Sequence, residues 1–330
     1  MVRLKRKQVN RTMNSLNNKI HLQAKKSQKS KSLLGYYLLL VSVCFIWGGT
    51  PASGRTLVQQ ASPFLITGAR FMVVGVLLFL WFYLTKNKKA FHVSRHNFIV
   101  LLIMAILGIG LHNTLLFSAL TITTATNTAL IESIGPTITT ILAFFFIGER
   151  LSALGWCGIF ISCVGAVCIV SQGSISLLLN LNFNVGDLMV VLSESMWSAY
   201  VVVSWKLTRD MSAPMVTAWT SILGGSFCLI LGGVTGELYC EQLNVHSWIS
   251  FLYLVLASGI FAFIAWNYAV TKIGATKAGA FIYLIPLAGA VIGVTLLDEA
   301  ISLGQILGGV IIILGMMITV RAKLTLKKNS

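Results

Sequence analysis

The chain has 330 residues, a formal net charge of +16, and a composition that is 56% hydrophobic and only 10% charged. A soluble domain of this size would carry about 25% charged residues, so the composition excludes a soluble protein and indicates a bilayer. The excess of Lys and Arg suggests a nucleic-acid partner, but these residues gather on one side of the predicted membrane topology, so no such partner is expected.

The first 32 residues form a basic segment with no Asp or Glu. We predict that residues 1–32 are a disordered cytoplasmic tail attracted to anionic lipid headgroups, with a specific regulatory role as the alternative. A short cytoplasmic tail is also predicted for residues 322–330. The apolar run after residue 32 has full span length and nine more follow, which argues against a secretory signal peptide.

Ten apolar stretches then follow, each with about 20 residues, the length that crosses the hydrocarbon of a bilayer as an α-helix. The predicted spans are 33–54, 64–85, 97–119, 125–147, 151–171, 186–207, 213–235, 248–271, 276–297 and 301–321. The predicted fold class is therefore an all-α integral membrane protein with ten transmembrane helices.

The second half of the chain is a diverged copy of the first, shifted by 150 residues without a gap. The paired residues include Trp47 and Trp197, Pro136 and Pro286, Glu149 and Glu299, Ser152 and Ser302, Gly158 and Gly308, and Gly165 and Gly315. The predicted copies are residues 33–171 and 186–321, with five spans each. An odd number of spans gives the copies opposite topology, which is typical of secondary transporters with a substrate site near the midplane.

The distribution of basic residues predicts the orientation. If the N terminus is cytoplasmic, every Lys and Arg except Arg55 and Arg70 falls on the inner side of the membrane. This positive-inside bias predicts that both termini are cytoplasmic. The six cysteines form no CxxC pair, so no disulfide framework is expected.

Short motifs support a family resemblance. The first copy carries Trp47-Gly48-Gly49, Ser62-Pro63, Ala69-Arg70-Phe71, Gly135-Pro136 and Gly148-Glu149-Arg150-Leu151-Ser152. The second copy keeps Trp197, Pro286 and Asp298-Glu299-Ala300-Ile301-Ser302, without the Arg. From residue 33 to 321 the sequence resembles the EamA-type members of the drug/metabolite transporter superfamily.

The resemblance implies a ten-helix carrier of the bacterial inner (plasma) membrane that exports amino acids or related metabolites. The implied partners are a small-molecule substrate and the lipid bilayer, with no cofactor. Because the family is broad in substrate, the resemblance does not supply the cargo.

Residues shared by both copies are interpreted as scaffold. Ser152 and Ser302 are predicted to cap the helices that follow them, with Glu149 and Glu299 near the same N termini. Glycines at helical intervals predict close helix packing, or alternatively a homodimer face. These glycines are Gly158, Gly165, Gly308, Gly309 and Gly315.

Three prolines are candidates for hinges of alternating access. Pro51, Pro136 and Pro286 lie within predicted spans, where each removes a backbone hydrogen-bond donor. Freed carbonyls are tolerated in a membrane where they line a cavity or meet another helix. The alternative for each proline is a fixed kink without motion.

Three charged residues within the spans have uncharged counterparts in the other copy. These residues are Arg70, Glu132 and Glu194, paired with Thr220, Ile282 and Cys44. An ionised side chain deep in a membrane helix costs roughly 2.5–3.5 kcal/mol on insertion scales. We therefore predict a polar cavity in which Arg70 binds a substrate carboxylate and an acid binds an amine or a proton. A purely structural Arg70–carboxylate pair is the alternative.

Further residues complete the predicted binding site. His112 and Asn113 add polar groups in the third span, although a lone His in an apolar helix more often packs through a hydrogen bond. Aromatic walls suited to apolar or aromatic cargo are predicted from Trp47, Trp197, Tyr200 and Tyr283. For proton coupling, Glu132 is the first candidate and Glu194 the second.

The sequence favours a secondary active transporter over other functions. No GxxxxGK[ST] loop is present for ATP. No HExxH motif and no Gly-x-Ser-x-Gly elbow are present, so no enzyme is expected and no catalytic or metal-binding residue is predicted. The alternatives are a passive channel-like facilitator and a carrier for a drug or a nucleotide sugar.

Overall fold

A computed structural model describes residues 33–123, 128, 131–132, 134–180, 184–207, 211–296, 302–322 and 324–326. The predicted N-terminal tail, residues 1–32, lies outside this part of the chain, as does Glu299. The described residues are almost entirely helical, because long apolar sequences satisfy all their backbone hydrogen bonds within one helix.

The α-helices are numbered in chain order. They are α1 (33–48), α2 (Thr50–Val58), α3 (Pro63–Leu84), α4 (Arg95–Met104), α5 (His112–Ala119), α6 (Gly135–Ile147), α7 (Ala153–Val170), α8 (Ile175–Leu179), α9 (Val185–Leu207), α10 (Ala213–Thr235), α11 (Val245–Tyr253), α12 (Phe263–Ile273), α13 (Ala275–Gly279), α14 (Leu284–Leu296) and α15 (Leu303–Arg321). Short 3-10 helices are Lys88–Phe91 and Ala280–Tyr283, and π-helices are Ala105–Leu111 and Leu254–Ala262.

Eight helical stretches within the described residues are long and apolar enough to cross a membrane. They are Leu33–Val58, Pro63–Leu84, Arg95–Ala119, Ala153–Val170, Val185–Trp205, Ala213–Thr235, Val245–Ile273 and Leu303–Arg321. Shorter apolar helices, Gly135–Ile147 and Ala275–Gly289, lie where the fourth and ninth spans are predicted. The helical membrane class is thus confirmed, whereas ten spans and inverted topology stay predictions.

A small β-sheet is present that the sequence did not predict. Strand β1 (Glu149–Leu151) pairs antiparallel with β2 (Leu324–Leu326), with Arg150 opposite Thr325. Because β1 follows α6 and β2 follows α15, the sheet joins the ends of two helices that are distant in sequence. The end of the bundle that carries this sheet is called the sheet end below.

Other contacts show which helix ends lie at each end of the bundle. At the sheet end, a Cβ added at Gly274 would lie 3.8 Å from Nε1 of Trp205, so α9 ends where α13 begins. At the opposite end, the backbone N–H of Ser62 donates to the carbonyl of Tyr239 at 3.0 Å. The start of α3 therefore lies beside the segment that follows α10.

The glycines predicted for close packing lie between α7 and α15. A Cβ added at Gly165 would be 2.8 Å from the carbonyl oxygen of Gly308, and one added at Gly158 would be 2.7 Å from that of Gly315. Gly309 faces α14, since its Cβ would be 2.9 Å from Cδ1 of Leu287. These glycines bring helices of the same chain together, as predicted, and the homodimer stays a prediction.

Irregular backbone recurs at equivalent places in the two halves. The π-helix Leu254–Ala262 contains the 150-residue equivalents of the π-helix Ala105–Leu111. Such π segments are rare and are frequently found at functional sites. The repeat therefore extends from the sequence to a specific distortion of the third and eighth spans.

Candidate functional site

A cavity lies among the helices, and the two π-helical spans both contribute to it. Its non-atom space, with the open solvent at its mouth included, is about 740 Å³. Seven of the nine residues predicted to bind substrate line it, and these are Trp47, Arg70, His112, Asn113, Glu132, Glu194 and Trp197. The structure thus brings together residues that are up to 150 positions apart in the chain.

Arg70 is buried against the cavity and has no acidic partner among the described residues. Its side chain is 1% exposed, and neither Nε nor Nη1 has a hydrogen-bond partner. Nη2 donates to the hydroxyl of Ser258 at 3.4 Å, and Cζ lies 4.4 Å from the ring centroid of Phe71. The alternative prediction of a structural Arg70–carboxylate pair is therefore wrong for the described residues. An unpaired buried cation is costly, and an anionic ligand would remove that cost.

Glu132 and Glu194 supply two carboxyl groups to the same cavity. Glu194 is 4% exposed in α9, and a Cβ added at Gly135 would collide with its Oε2. The two carboxyls are close enough to interact electrostatically. Because like charges repel strongly in a low-dielectric site, the pair can attract a cationic group or a proton.

His112 and Asn113 line the cavity but make hydrogen bonds within the protein. Nδ1 of His112 lies 2.9 Å from the hydroxyl of Ser193. Nδ2 of Asn113 donates to the carbonyls of Gly108 and Ile109, both at 3.1 Å. These carbonyls belong to the π-helix, so Asn113 satisfies acceptors that the distorted backbone presents. Both residues therefore shape the cavity wall and are already hydrogen-bonded.

Aromatic rings form one wall of the cavity. Trp47 and Trp197 pack edge to face with ring centroids 5.2 Å apart, and Phe263 contacts Trp47 at 5.5 Å. Tyr200 was predicted to line the cavity, but it lies behind Trp197 instead. The two rings are stacked with their centroids 5.1 Å apart. The hydroxyl of Tyr200 donates to Oδ1 of Asn267 at 2.9 Å. One helical turn separates the lining Trp from the Tyr behind it.

Tyr283 is the second aromatic residue that lies outside the cavity lining. It is buried, and its hydroxyl lies 3.3 Å from Oγ1 of Thr137 in α6. Its neighbour Ile282 lines the cavity instead. The sequence predicted the correct segment, but Ile282 of the 3-10 helix Ala280–Tyr283, and not Tyr283, faces the cavity.

The three prolines differ from the prediction in how they fit their helices. Pro51 and Pro136 lie in the first turns of α2 and α6, where a missing N–H removes no helical hydrogen bond. Pro286 follows the 3-10 helix and is the third residue of α14. Pro51 and Pro286 line the cavity and Pro136 does not. Motion at these prolines stays a prediction.

The capping prediction is confirmed for one copy and wrong for the other. Ser302 forms a capping box with Gln305 at the start of α15. Ser152 makes no side-chain cap at α7. Glu149 binds the first turn of α13 and not that of α7, with Oε2 accepting from the hydroxyl of Thr276 at 2.6 Å. Packing between segments far apart in sequence therefore decided which helix N terminus Glu149 binds.

Two uncharged polar residues in the site were missed by sequence reasoning. Thr50 and Ser258 line the cavity, and their hydroxyl oxygens are 3.1 Å apart. In the 150-residue repeat, Thr50 pairs with Tyr200 and Ser258 pairs with Gly108. The asymmetry that selected the charged residues would have found Ser258, had it been applied to hydroxyl groups, but not Thr50, because Tyr200 also carries a hydroxyl.

Comparison with known proteins gives a consistent assignment. The model of the EamA-like transporter family matches twice, at residues 34–171 and 184–321. The uncharacterized transporter YyaM of Bacillus subtilis is 24% identical, covering 86% of this chain and 93% of that protein. An uncharacterized transporter of Archaeoglobus fulgidus is 25% identical, covering 86% of this chain and 96% of that protein.

Two further similarities are more distant. The uncharacterized inner membrane transporter YedA of Escherichia coli K12 is 23% identical, covering 82% of this chain and 86% of that protein. A solved crystal structure aligns with a TM-score of 0.71 at 18% identity, covering 86% of this chain and 96% of that chain. At that identity the structural match shows a shared fold alone.

Proposed function

The chain belongs to the EamA-like transporter family, and we propose that it is a secondary active transporter that exports amino acids or related small metabolites across the inner membrane by alternating access. The observation that carries this proposal is the charge arrangement of the cavity. An unpaired Arg70 and the two carboxyls of Glu132 and Glu194 line one space.

This arrangement fits a zwitterion. Arg70 is suited to a carboxylate, because a guanidinium forms strong charge-assisted hydrogen bonds with that group. The Glu132–Glu194 pair is suited to an ammonium group. The walls formed by Trp47, Trp197 and Ile285 are apolar and would contact the remainder of the substrate. An amino acid presents these three features together.

The same carboxyls are the candidates for proton coupling. A proton and a substrate ammonium group would both reduce the repulsion between Glu132 and Glu194. If they compete for the pair, release of one is linked to binding of the other, and a proton gradient can drive transport. Glu132 is proposed as the first coupling residue and Glu194 as the second.

A nucleotide sugar fits this cavity less well than an amino acid. Arg70 is the one Lys or Arg among the described lining residues, and a diphosphate would need more positive charge. The same cavity contains two acidic side chains that repel a dianion. Two other functions are the second candidates. A drug carrier would suit the apolar walls of the cavity. A passive facilitator would need a continuous open path.

Counterflow in proteoliposomes tests the proposal. Vesicles loaded with a mixed amino-acid pool would be given labelled phenylalanine, leucine or lysine outside. We expect saturable exchange of at least one of them, and loss of that exchange in the Arg70→Ala and Glu132→Gln variants. Uptake that does not saturate and shows no counterflow would support the facilitator. No exchange by folded protein would reject the amino-acid cargo.

A further inference from the structure

We propose that the break in the first span, together with Arg70, forms a binding subsite for the carboxylate group of the substrate. The proposal rests on the transport function given above and specifies which atoms would recognise the cargo. It assigns a role to Thr50, Ser258 and the first turn of α2.

The first span is two helices joined at Gly49. The chain leaves α1 at residue 48, and α2 begins at Thr50 with Gly49 as an N-cap that provides no side-chain oxygen. The carbonyl of Ile46, at the end of α1, accepts from the hydroxyl of Tyr253. The hydroxyl of Tyr253 in the eighth span therefore stabilises the break, because it donates to a backbone carbonyl near the end of α1.

The beginning of α2 is exposed to the cavity. Thr50 and Pro51, its first two residues, both line the cavity. The first N–H groups of a helix have no acceptor within it; in α2 these are the groups of Thr50 and Ala52, because Pro51 has no N–H and Ser53 donates to the carbonyl of Gly49 at 3.2 Å. The helix dipole adds partial positive charge at this end. Helix N termini of this kind bind anions, and broken membrane helices direct them at anionic substrate groups.

Arg70 provides an independent indication of an anionic ligand. It is 1% exposed, and within the part of the chain that the structure describes Nε and Nη1 have no hydrogen-bond partner, although the side chain lines the same cavity. Burial of these donors without an acceptor has a substantial desolvation cost. A ligand oxygen placed between Arg70 and α2 would satisfy both groups at once.

Ser258 holds these two parts together. Its hydroxyl accepts from Nη2 of Arg70 at 3.4 Å and lies 3.1 Å from Oγ1 of Thr50. Its carbonyl also accepts from Nε1 of Trp47 at 3.4 Å. Ser258 lies in a π-helix, whose altered turn places a polar group at the break of the first span. The guanidinium and the α2 terminus are thereby fixed at one location.

Phe117 provides a second common support. A Cβ added at Gly54 in α2 would be 2.6 Å from Cε1 of Phe117. The same ring lies 5.9 Å from Cζ of Arg70. Both α2 and the guanidinium thus pack on one aromatic side chain, which restricts their relative movement.

The chemistry of the subsite selects a monoanion. One guanidinium supplies a single full positive charge, to which the first N–H groups of α2 add hydrogen-bond donors, and this matches a carboxylate better than a phosphate dianion. Glu132 and Glu194 in the same cavity further disfavour a dianion. A carboxylate also has two oxygens, so one can meet Arg70 while the other meets the N–H groups and hydroxyl of Thr50.

The test uses the full chain in lipid nanodiscs and measures thermal stabilisation by ligand, because ligands that bind the folded state raise its stability. The probes are leucine, phenylalanine and lysine, the corresponding amides, and the deaminated acids 4-methylpentanoate, 3-phenylpropanoate and 6-aminohexanoate. We expect stabilisation by probes that retain the carboxylate and much weaker stabilisation by the amides. Stabilisation by none of the probes would contradict the subsite.

Variants assign the effect to the proposed atoms. We expect Thr50→Val and Ser258→Ala to weaken binding of the carboxylates about tenfold or more, the usual effect of losing a hydrogen bond to a charged group. Binding of the amides should not change in these variants. Thr50→Ser, which keeps the hydroxyl that Thr50→Val lacks, should bind carboxylates like the unaltered protein. The control is Thr56→Val, because Thr56 lies in the same helix, is absent from the cavity lining among the described residues, and donates its hydroxyl to the carbonyl of Ala52.

The outcomes separate this inference from the proposed function. Amides that bind as tightly as acids, or Thr50→Val and Ser258→Ala variants that behave like Thr56→Val, would overturn the subsite even if counterflow succeeds. Carboxylate-dependent stabilisation without exchange of any amino acid would support the subsite and reject the amino-acid cargo. If a variant does not fold, the comparison of acids with amides on the unaltered chain still decides.

Discussion

The carboxylate of Glu149, in β1, is hydrogen-bonded to Thr276, in the first turn of α13. Oε2 accepts from the backbone N–H at 3.2 Å and from the hydroxyl at 2.6 Å. Glu149 belongs to the first segment matched by the family model and Thr276 to the second. At the sheet end the two halves of the protein are therefore joined by one buried acid.

Removal of this acid should destabilise the protein. In Glu149→Ala the N–H and hydroxyl of Thr276 would lose their acceptor, and a buried donor without an acceptor costs about 1–3 kcal/mol. We expect a lower midpoint of thermal unfolding in detergent. The matched control is Glu237→Ala, an exposed acid at the opposite end. Equal midpoints for the two variants would show that the contact contributes nothing.

The free energy of unfolding should depend on pH through the protonation of Glu149. Burial raises its pKa, against the opposing effect of hydrogen bonds from Thr276. Because the folded protein holds the proton more tightly than the unfolded chain, the contribution of Glu149 to stability falls as pH rises above the ordinary carboxyl pKa of about 4.3. We expect Glu149→Gln to reduce the slope of unfolding midpoint against pH in this range. An unchanged slope would contradict the assignment.

The two repeat-related serines should differ in their contribution to stability. Ser302 caps α15, accepting from the backbone N–H of Gln305 at 3.1 Å, and loss of such a cap costs about 1 kcal/mol. Ser152 has no side-chain cap. We therefore expect Ser302→Ala to lower the unfolding midpoint and Ser152→Ala to leave it nearly unchanged. A reversed order would refute the capping assignment.

The contact between α7 and α15 should not accept side chains at its glycines. A Cβ at Gly165 would lie 2.7 Å from the backbone nitrogen of Ile312, so Gly165→Ala must separate the helices and should destabilise by about 1–3 kcal/mol. Gly289 in α14 has no atom within 4 Å of an added Cβ. Gly289→Ala is therefore the matched control, with equal or higher stability expected because Ala favours helix. Unfolding midpoints would distinguish the two.

Proton coupling should depend on the acids of the cavity. In proteoliposomes with an imposed pH gradient, Glu132→Gln should show no proton-driven amino-acid transport, because the neutral amide neither exchanges a proton nor attracts the substrate ammonium group. Glu194→Gln is expected to have a smaller effect, and Glu237→Gln none. Full proton-driven transport by a folded Glu132→Gln variant would rule out this residue as the coupling site.

The proposed orientation can be measured with cysteine labelling. Cys240 is exposed beside the start of α3, whereas Lys89 is exposed beyond the end of the same helix. With both termini cytoplasmic, an impermeant maleimide should label Cys240 on intact spheroplasts and not label Cys240→Ser. In the latter background, Lys89→Cys should react only after permeabilisation. The opposite pattern would invert the topology.

The sequence by itself determined the membrane class, the positions of most helices and the internal repeat. These features follow from apolar length and from residue identity at a fixed shift, which are local properties of the chain. The predicted span 213–235 agrees with Ala213–Thr235, and the other seven observed spans differ from prediction by a few residues at their ends. The sequence also selected the segments that contribute Arg70, Glu132 and Glu194 to one cavity.

Only the tertiary structure decided which side chains face that cavity and which groups are already satisfied. In a membrane helix the faces toward lipid and toward neighbouring helices are both mostly apolar, so periodicity does not separate a lining residue from one behind it. Trp197 lines the cavity and Tyr200, one turn away, does not. Likewise, packing between spans far apart in sequence leaves Arg70 without an acidic partner among the described residues and places Ser258 between Arg70 and Thr50. Such contacts are set by the whole bundle.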